Sequence, residues 1–404
     1  MTRSALKPRT ALELGIMCGY PPPPEKRPDL SNWDLAPFNR WSFLNARKLF
    51  PTVEVSADPG RSFALATDLR ELGSLEFENH AGQPTRLKDY LQNNYTDGFL
   101  VMHRGKIINE AYYNGMQADT PHLSQSLAKS LVGVLTGILH GRGLVDLEAP
   151  LVDYVPELKD CGYRDATLRH ALDMTSGVRF IEDYDRADSD MRRVDIASGW
   201  RPAPASGSVS TIRDIILTLP KIRPHGERFE YRSIEADVVA WVLERAADQS
   251  LASLLSELVW KKIGAEQHAY FTVDRAMTAL ADGGFNASLR DYARFALLMQ
   301  NNGRVGKEQV LPERWVDESS QGDNRVYGAP YTETCPSGGY RNFWWTHNLV
   351  EDDLMARGVF VQTIYIDRTL QLIIVKLSTW PDYLIRDFTR DSLNAFRAIR
   401  EAVA

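Results

Sequence analysis

The sequence predicts an α/β chain of the α+β kind, in which one antiparallel sheet is flanked by helices and a helical region is inserted into it. Three observations point there. Apolar, β-branched and aromatic runs near residues 97–114 and 340–378 read as strands. Helical patterns fill most of the stretch between them. A strongly apolar helix opens at Ser126, directly after the first strand pair. With 404 residues, 44% of them hydrophobic, there is ample material for a large core.

Taken in order, residues 1–60 are rich in Pro, Trp and Arg with little periodicity, and are expected to form an extended arm wrapped on the body. Asp97 to Asn114 reads as two strands around a tight Arg104-Gly105 turn. The helix from Ser126 follows and is stopped by Gly141 and Gly143. Further helices are expected from Thr167, near 211–219, from Ile234 to Ala247 and from Ser250 to about Trp260. Residues 181–210 read as a long irregular segment, of a kind often used as a lid. Tyr340–Trp345, Gly358–Ile366 and Leu370–Ser378 read as strands, the last two joined at Asp367-Arg368-Thr369, and a final helix covers about 384–402. The domain division expected is an α/β domain from 61–145 and 265–404, with a mainly helical domain at 146–264.

The chemistry is carried by Ser126-Leu127-Ala128-Lys129. Residues three apart share a helix face, so the hydroxyl and the amine can meet. A serine needs a base, and a lysine in apolar surroundings loses proton affinity and can serve as one. Lys129 is therefore expected to titrate low. The first helical turn also favours negative charge. A second Ser-x-x-Lys, Ser4 to Lys7, has no apolar helix behind it. The pattern at Ser126 thus points to serine acyl transfer.

Composition excludes several other classes. Net charge is −6, with no long basic run, so nucleic acid and anionic membranes are not expected partners. Cys18, Cys161 and Cys335 give neither a disulfide framework nor zinc spacing. The histidines are scattered, and Gly133 to Gly137 lacks the Gly-Lys-Ser/Thr of a phosphate loop. No cofactor and no metal is expected. No 18-residue apolar run and no signal-like segment occurs, so a cytoplasmic location is the expectation.

Several stretches together resemble the class C β-lactamase and penicillin-binding serine hydrolases, in the β-lactamase/transpeptidase-like fold. They are SLAKS, GRGLVDLEAPLVDYVPEL, TLRHALDMTSG and PHGERFEYRS. SNWDLAPFNRWSF, IEDYDRADSD, DIASGW and VKLSTWPD narrow the resemblance to the 6-aminohexanoate-dimer hydrolases (nylon-oligomer hydrolases) and related carboxylesterases. The resemblance implies Ser126 as nucleophile, Lys129 as its base and Tyr231, in Tyr231-Arg232-Ser233, as proton shuttle. It implies backbone N–H groups of Ser126 and Val359 as the oxyanion hole. Tyr184 and Asp195, eleven residues apart, match a loop tyrosine that closes over substrate and an aspartate that binds the substrate amine.

Two departures stand out. The family's third motif, Lys-Thr-Gly or His-x-Gly, is missing, and the equivalent strand is read as Gly358 to Gln362, placing Phe360 where a polar residue is usual. Asp282-Gly283-Gly284 stands where the subgroup shows Asn-Gly-Gly, adding charge near the substrate. The expected reaction is acyl-enzyme hydrolysis of short linear amides or carboxylic esters rather than β-lactams. A carboxylesterase with little amidase activity, or a non-catalytic protein keeping the penicillin-recognising fold, are the alternatives. A small-molecule amide or ester is the expected partner, and the sequence is compatible with a homodimer.

Overall fold

The computed structural model describes residues 8–205, 210–323, 325–333, 335–347 and 352–404. Its centre is an eight-stranded sheet of β1 (Ala66–Thr67), β2 (Thr96–His103), β3 (Lys106–Tyr112), β4 (Gly339–Arg341), β5 (Trp344–Thr346), β6 (Asp353–Gly358), β7 (Gln362–Asp367) and β8 (Leu372–Ser378). The order is β4-β5-β6-β7-β8-β2-β3-β1, antiparallel except for the β1–β3 edge. Strands from the two halves of the chain meet where β8 pairs with β2, Ile374 opposite Val101 and Lys376 opposite Phe99. This is the antiparallel sheet flanked by helices that the strand runs imply.

The period-2 alternation of the strands builds a core on each face. Leu100, Met102, Ile373 and Val375 face one core, with α1 (Ala128–Gly141). Phe99, Val101, Leu372 and Ile374 face the other, beneath α5 (Arg386–Val403). The second core also includes Ala395, Phe396 and Ile399 of that helix. Helix α4 (Leu289–Gln300), not foreseen from the residue pattern, packs on the α1 side across β2, β7 and β8. The hairpin at Arg104-Gly105 forms as expected, both residues having positive φ.

Residues expected as a plain arm also contain regular structure. Thr52–Val55 pairs with Ala269–Thr272 in a four-stranded sheet completed by Phe285–Ala287 and His122–Leu123. Arg40 donates to Asp97 at 2.8 Å, and Asp97 also accepts from Thr379 and meets His122. That buried cluster fastens the N-terminal segment to the sheet.

Two expected strands prove to be hairpins. Tyr340–Trp345 is split into β4 and β5 by a turn at Asn342-Phe343, with φ of 54° and 63°. The turn presses on α1 so closely that a Cβ at Gly133 would lie 2.1 Å from the Asn342 carbonyl oxygen. Gly133 is thus a packing glycine. Gly358–Ile366 is interrupted at 359–361, where Phe360 and Val361 have φ of 60° and 56°. A β-branched residue in that region is strained, and such strain concentrates near functional sites.

The segment at 181–200 is also more regular than expected. Helix α2 (Asp190–Ala197) starts at Ser189, whose side chain accepts from the Arg192 N–H. Its buried Met191, Val194 and Ala197, at i, i+3 and i+6, hold it against the body.

Candidate active site

Ser126 lies in a 3-10 turn, Gln125–Leu127, that runs directly into α1. The residue before it, Gln125, is held at φ 49°. The positive end of the helix dipole therefore faces the Ser126 hydroxyl. One turn on, the buried Lys129 donates to Ser126 Oγ at 2.8 Å and to the Asp282 carbonyl oxygen at 2.6 Å.

Tyr231 precedes α3 (Ile234–Ala247) and stacks on Trp345, ring centroids 5.6 Å apart. Its backbone N–H donates to the Tyr331 hydroxyl at 2.8 Å. Its phenol interacts with both Ser126 and Lys129, whose ammonium lies 5.2 Å from the ring centroid. The structure therefore brings together all three residues of the expected set.

The expectation that Lys129 titrates low does not hold. Burial pulls its pKa down, but Tyr231, Asp282 and Glu182 supply negative potential that outweighs burial and raises it. Burial raises Tyr231 as well, more than the Lys129 charge lowers it. Each group favours the charged form of the other, so the two titrate as a unit. Burial likewise lifts Asp282 to about 6, next to Asp237, whose carboxyl is also pushed up.

Strand β6 delivers the opposite wall. A Cβ on Gly358 would lie 2.5 Å from the Ser124 carbonyl oxygen and 3.1 Å from the Ser126 nitrogen, so only glycine admits this approach. The contact places Val359 beside Ser126, and both line the two cavities described next. Phe360 lies beyond the end of the strand, not on it. It sits in the hairpin turn, edge-on to Phe43 at 5.1 Å, and lines only the smaller cavity. The cation on this strand is Arg357, one residue before Gly358, which the residue pattern alone does not single out.

Two cavities meet at Ser126. The smaller, about 110 Å³, carries Asp34, Asp185, Asp195, Asp282 and Asp382. Arg201 also lines it, but is clasped by both oxygens of Asp34. Asp195, on α2, is pushed up to about 7 by burial, which the more distant Arg201 only partly offsets. Tyr184 lies between the cavities, its hydroxyl donating to Glu182 at 2.8 Å. Glu182 also accepts from Ser233 N–H at 2.7 Å and from its hydroxyl at 2.5 Å. The larger cavity, about 400 Å³, is bounded by Tyr231, Tyr327, Trp345, Met355 and Phe396 among others.

Glu182, Asp34, Arg201 and Arg357 were not picked out from the sequence. Glu182 lies in an acidic stretch indistinguishable from a solvated one, and Asp34 meets Arg201 from 167 residues away. No group of three His, Cys, Asp or Glu side chains suited to a metal occurs among the described residues. No helix among them is long and apolar enough to cross a membrane.

The chain is 32% identical to a 6-aminohexanoate-dimer hydrolase of Paenarthrobacter ureafaciens over 373 residues, 90% of this chain and 91% of that one. It is similar to the solved structure of a provisionally named 6-aminohexanoate-dimer hydrolase from Bacillus anthracis, with a TM-score of 0.88 and 27% identity over 94% and 98% of the two chains. A family VIII carboxylesterase shares the fold at a TM-score of 0.55 and 14% identity, covering 77% of this chain and 96% of that one. The beta-lactamase family model matches residues 89–395. This chain belongs to the beta-lactamase family of serine hydrolases.

Proposed function

We propose that this hydrolase cleaves short linear amides or esters through an acyl-enzyme on Ser126, and that it favours acyl groups ending in an amine. The observation that carries the reading is the Ser126–Lys129 contact at 2.8 Å at the junction of an acidic and an apolar cavity. Similarity to the 6-aminohexanoate-dimer hydrolase supports the linear amide.

Loss of one proton from the Lys129–Tyr231 pair creates the base, which takes the Ser126 proton as Oγ attacks the carbonyl carbon. The backbone N–H groups of Ser126 and Val359 are assigned to the tetrahedral oxyanion. Tyr231 returns a proton to the leaving nitrogen or oxygen as the bond breaks. Water then attacks the acyl-enzyme, and the acid departs as Ser126 regains its proton. The carboxylates of the smaller cavity, Asp195 foremost, pair with an ammonium on the acyl group.

The test is mass labelling by a fluorophosphonate together with turnover of a 6-aminohexanoyl p-nitrophenyl ester. The proposal expects one adduct on Ser126, none in Ser126→Ala, and loss of turnover in that variant with an unchanged melting curve. Turnover within tenfold of wild type in Ser126→Ala overturns the mechanism.

A further inference from the structure

We propose that Arg357 receives a carboxylate on the leaving group and so sets a preference for leaving groups that carry one. The inference rests on the hydrolase reading above and deepens it.

The two cavities are unequal in a way that orients the substrate. Tyr231 lines the larger cavity and not the smaller. A residue that protonates the leaving atom must lie on the leaving side, so the leaving group occupies the larger cavity. The acyl group then lies in the acidic one, where its ammonium finds Asp195.

The larger cavity is mostly apolar, and its charges are accounted for one by one. Glu182 is occupied by Ser233 and Tyr184. Glu333 and Arg386 face each other at 3.4 Å. Arg357 remains. Its guanidinium lies over the Trp345 ring, 5.4 Å from the centroid, and no carboxylate of the described residues forms an ion pair with it. The titratable groups that act on it are Tyr327, Cys335, Tyr231 and His347, all pushed by burial toward their neutral forms.

A partly buried guanidinium with no anion is costly to the fold. It is explained where a ligand supplies the anion. Arg is suited to that task because its fork matches a carboxylate bidentately while its face rests on an aromatic ring. Thr363, cross-strand from Arg357, lines the same cavity and offers a further hydroxyl.

The experiment compares N-(6-aminohexanoyl)-6-aminohexanoate with its terminal carboxamide. Wild type should prefer the acid by roughly 10–100-fold in kcat/KM, the range of a charge-assisted contact. Arg357→Gln should collapse that ratio toward one, and Arg357→Lys should keep part of it. A wild-type ratio near one, or a ratio unchanged in Arg357→Gln, overturns the proposal. Calorimetric binding of 6-aminohexanoate and of hexylamine to Ser126→Ala gives a readout that needs neither turnover nor a folded Arg357 variant. Tighter binding of the carboxylate is expected, and equal binding of the two overturns the inference. Failure of the hydrolase reading instead shows as absent fluorophosphonate labelling in wild type, while the binding comparison still decides the role of Arg357.

Discussion

The Asp195 carboxylate stops 4.0 Å from the Arg201 guanidinium, which is already held by both oxygens of Asp34. Asp195 is therefore a buried acid with a cation in view but not in contact, and its pKa rises to about 7. The smaller cavity thus holds a carboxylate that a substrate ammonium would draw fully into its charged form.

Recognition of an amine at Asp195, as proposed, would then depend on pH. Above about 7 Asp195 is charged, and below it the proton competes with the ligand. KM for substrates with a free amine should rise roughly three- to tenfold between pH 8 and pH 6, against little change for the same ester with an acetylated amine. Asp195→Asn should raise KM at pH 8 and abolish the pH dependence. Equal KM profiles for the free and acetylated substrates would return Asp195 to a structural role.

The same shift has a stability consequence with a definite sign. The native state holds the Asp195 proton up to about 7, whereas the unfolded chain releases it near 3.8. Over that window the native state binds more protons, so this group's contribution falls as pH rises. Asp195→Asn should gain about 1–3 kcal/mol at pH 8 and nothing near pH 4. Denaturant melts at the two pH values check this, and equal gains at both would refute it.

Lys129 is held protonated by its neighbours, so acylation should speed up as pH rises above neutral. Removing the anions should bring the base form in earlier. Because Asp237 and Asp282 restrain each other's ionisation, Asp282→Asn alone lets Asp237 charge in part. The double variant Asp237→Asn/Asp282→Asn should move the pH profile of fluorophosphonate labelling further to lower pH than either single change. Lys129→Met should slow labelling about 10²–10⁴-fold. A profile that stays put in the double variant would exclude these carboxylates as its cause.

Glu182 accepts three hydrogen bonds, two from Ser233 and one from Tyr184. Glutamine has one acceptor oxygen in place of two, so Glu182→Gln should cost about 1–3 kcal/mol and slow ester and amide hydrolysis alike. Tyr184→Phe removes a single donor and should slow amide hydrolysis more than ester hydrolysis, because the amide has the poorer leaving group. Initial rates on a matched ester and amide for the two variants separate the roles. Equal losses in Tyr184→Phe would mean that Tyr184 only packs the loop.

Much of this protein was legible in its residue pattern, because the signals were local. The Arg104-Gly105 hairpin, the helix Ile234–Ala247 with its bounds, and the three-residue spacing of Ser126 and Lys129 follow from short-range geometry. The α+β class follows from the separation of strand-like and helical runs. Local signals misled where two positive-φ residues hid inside an apolar run, at Asn342-Phe343 and at Phe360-Val361. No glycine marks those turns, and tertiary packing against α1 and the 3-10 turn around Ser126 enforces them.

The residue pattern alone carries the class of fold, the sheet drawn from both ends of the chain and the pairing of the Ser126 hydroxyl with the Lys129 amine. The electrostatics around that pair arises only once the chain has folded. The proton affinity of Lys129 depends on Tyr231, Asp282 and Glu182, which arrive from three separate segments. The state of Asp195 depends on how Asp34, far along the chain, engages Arg201. Charge interactions act through space and depend on burial, so residue type and spacing along the chain cannot reveal them.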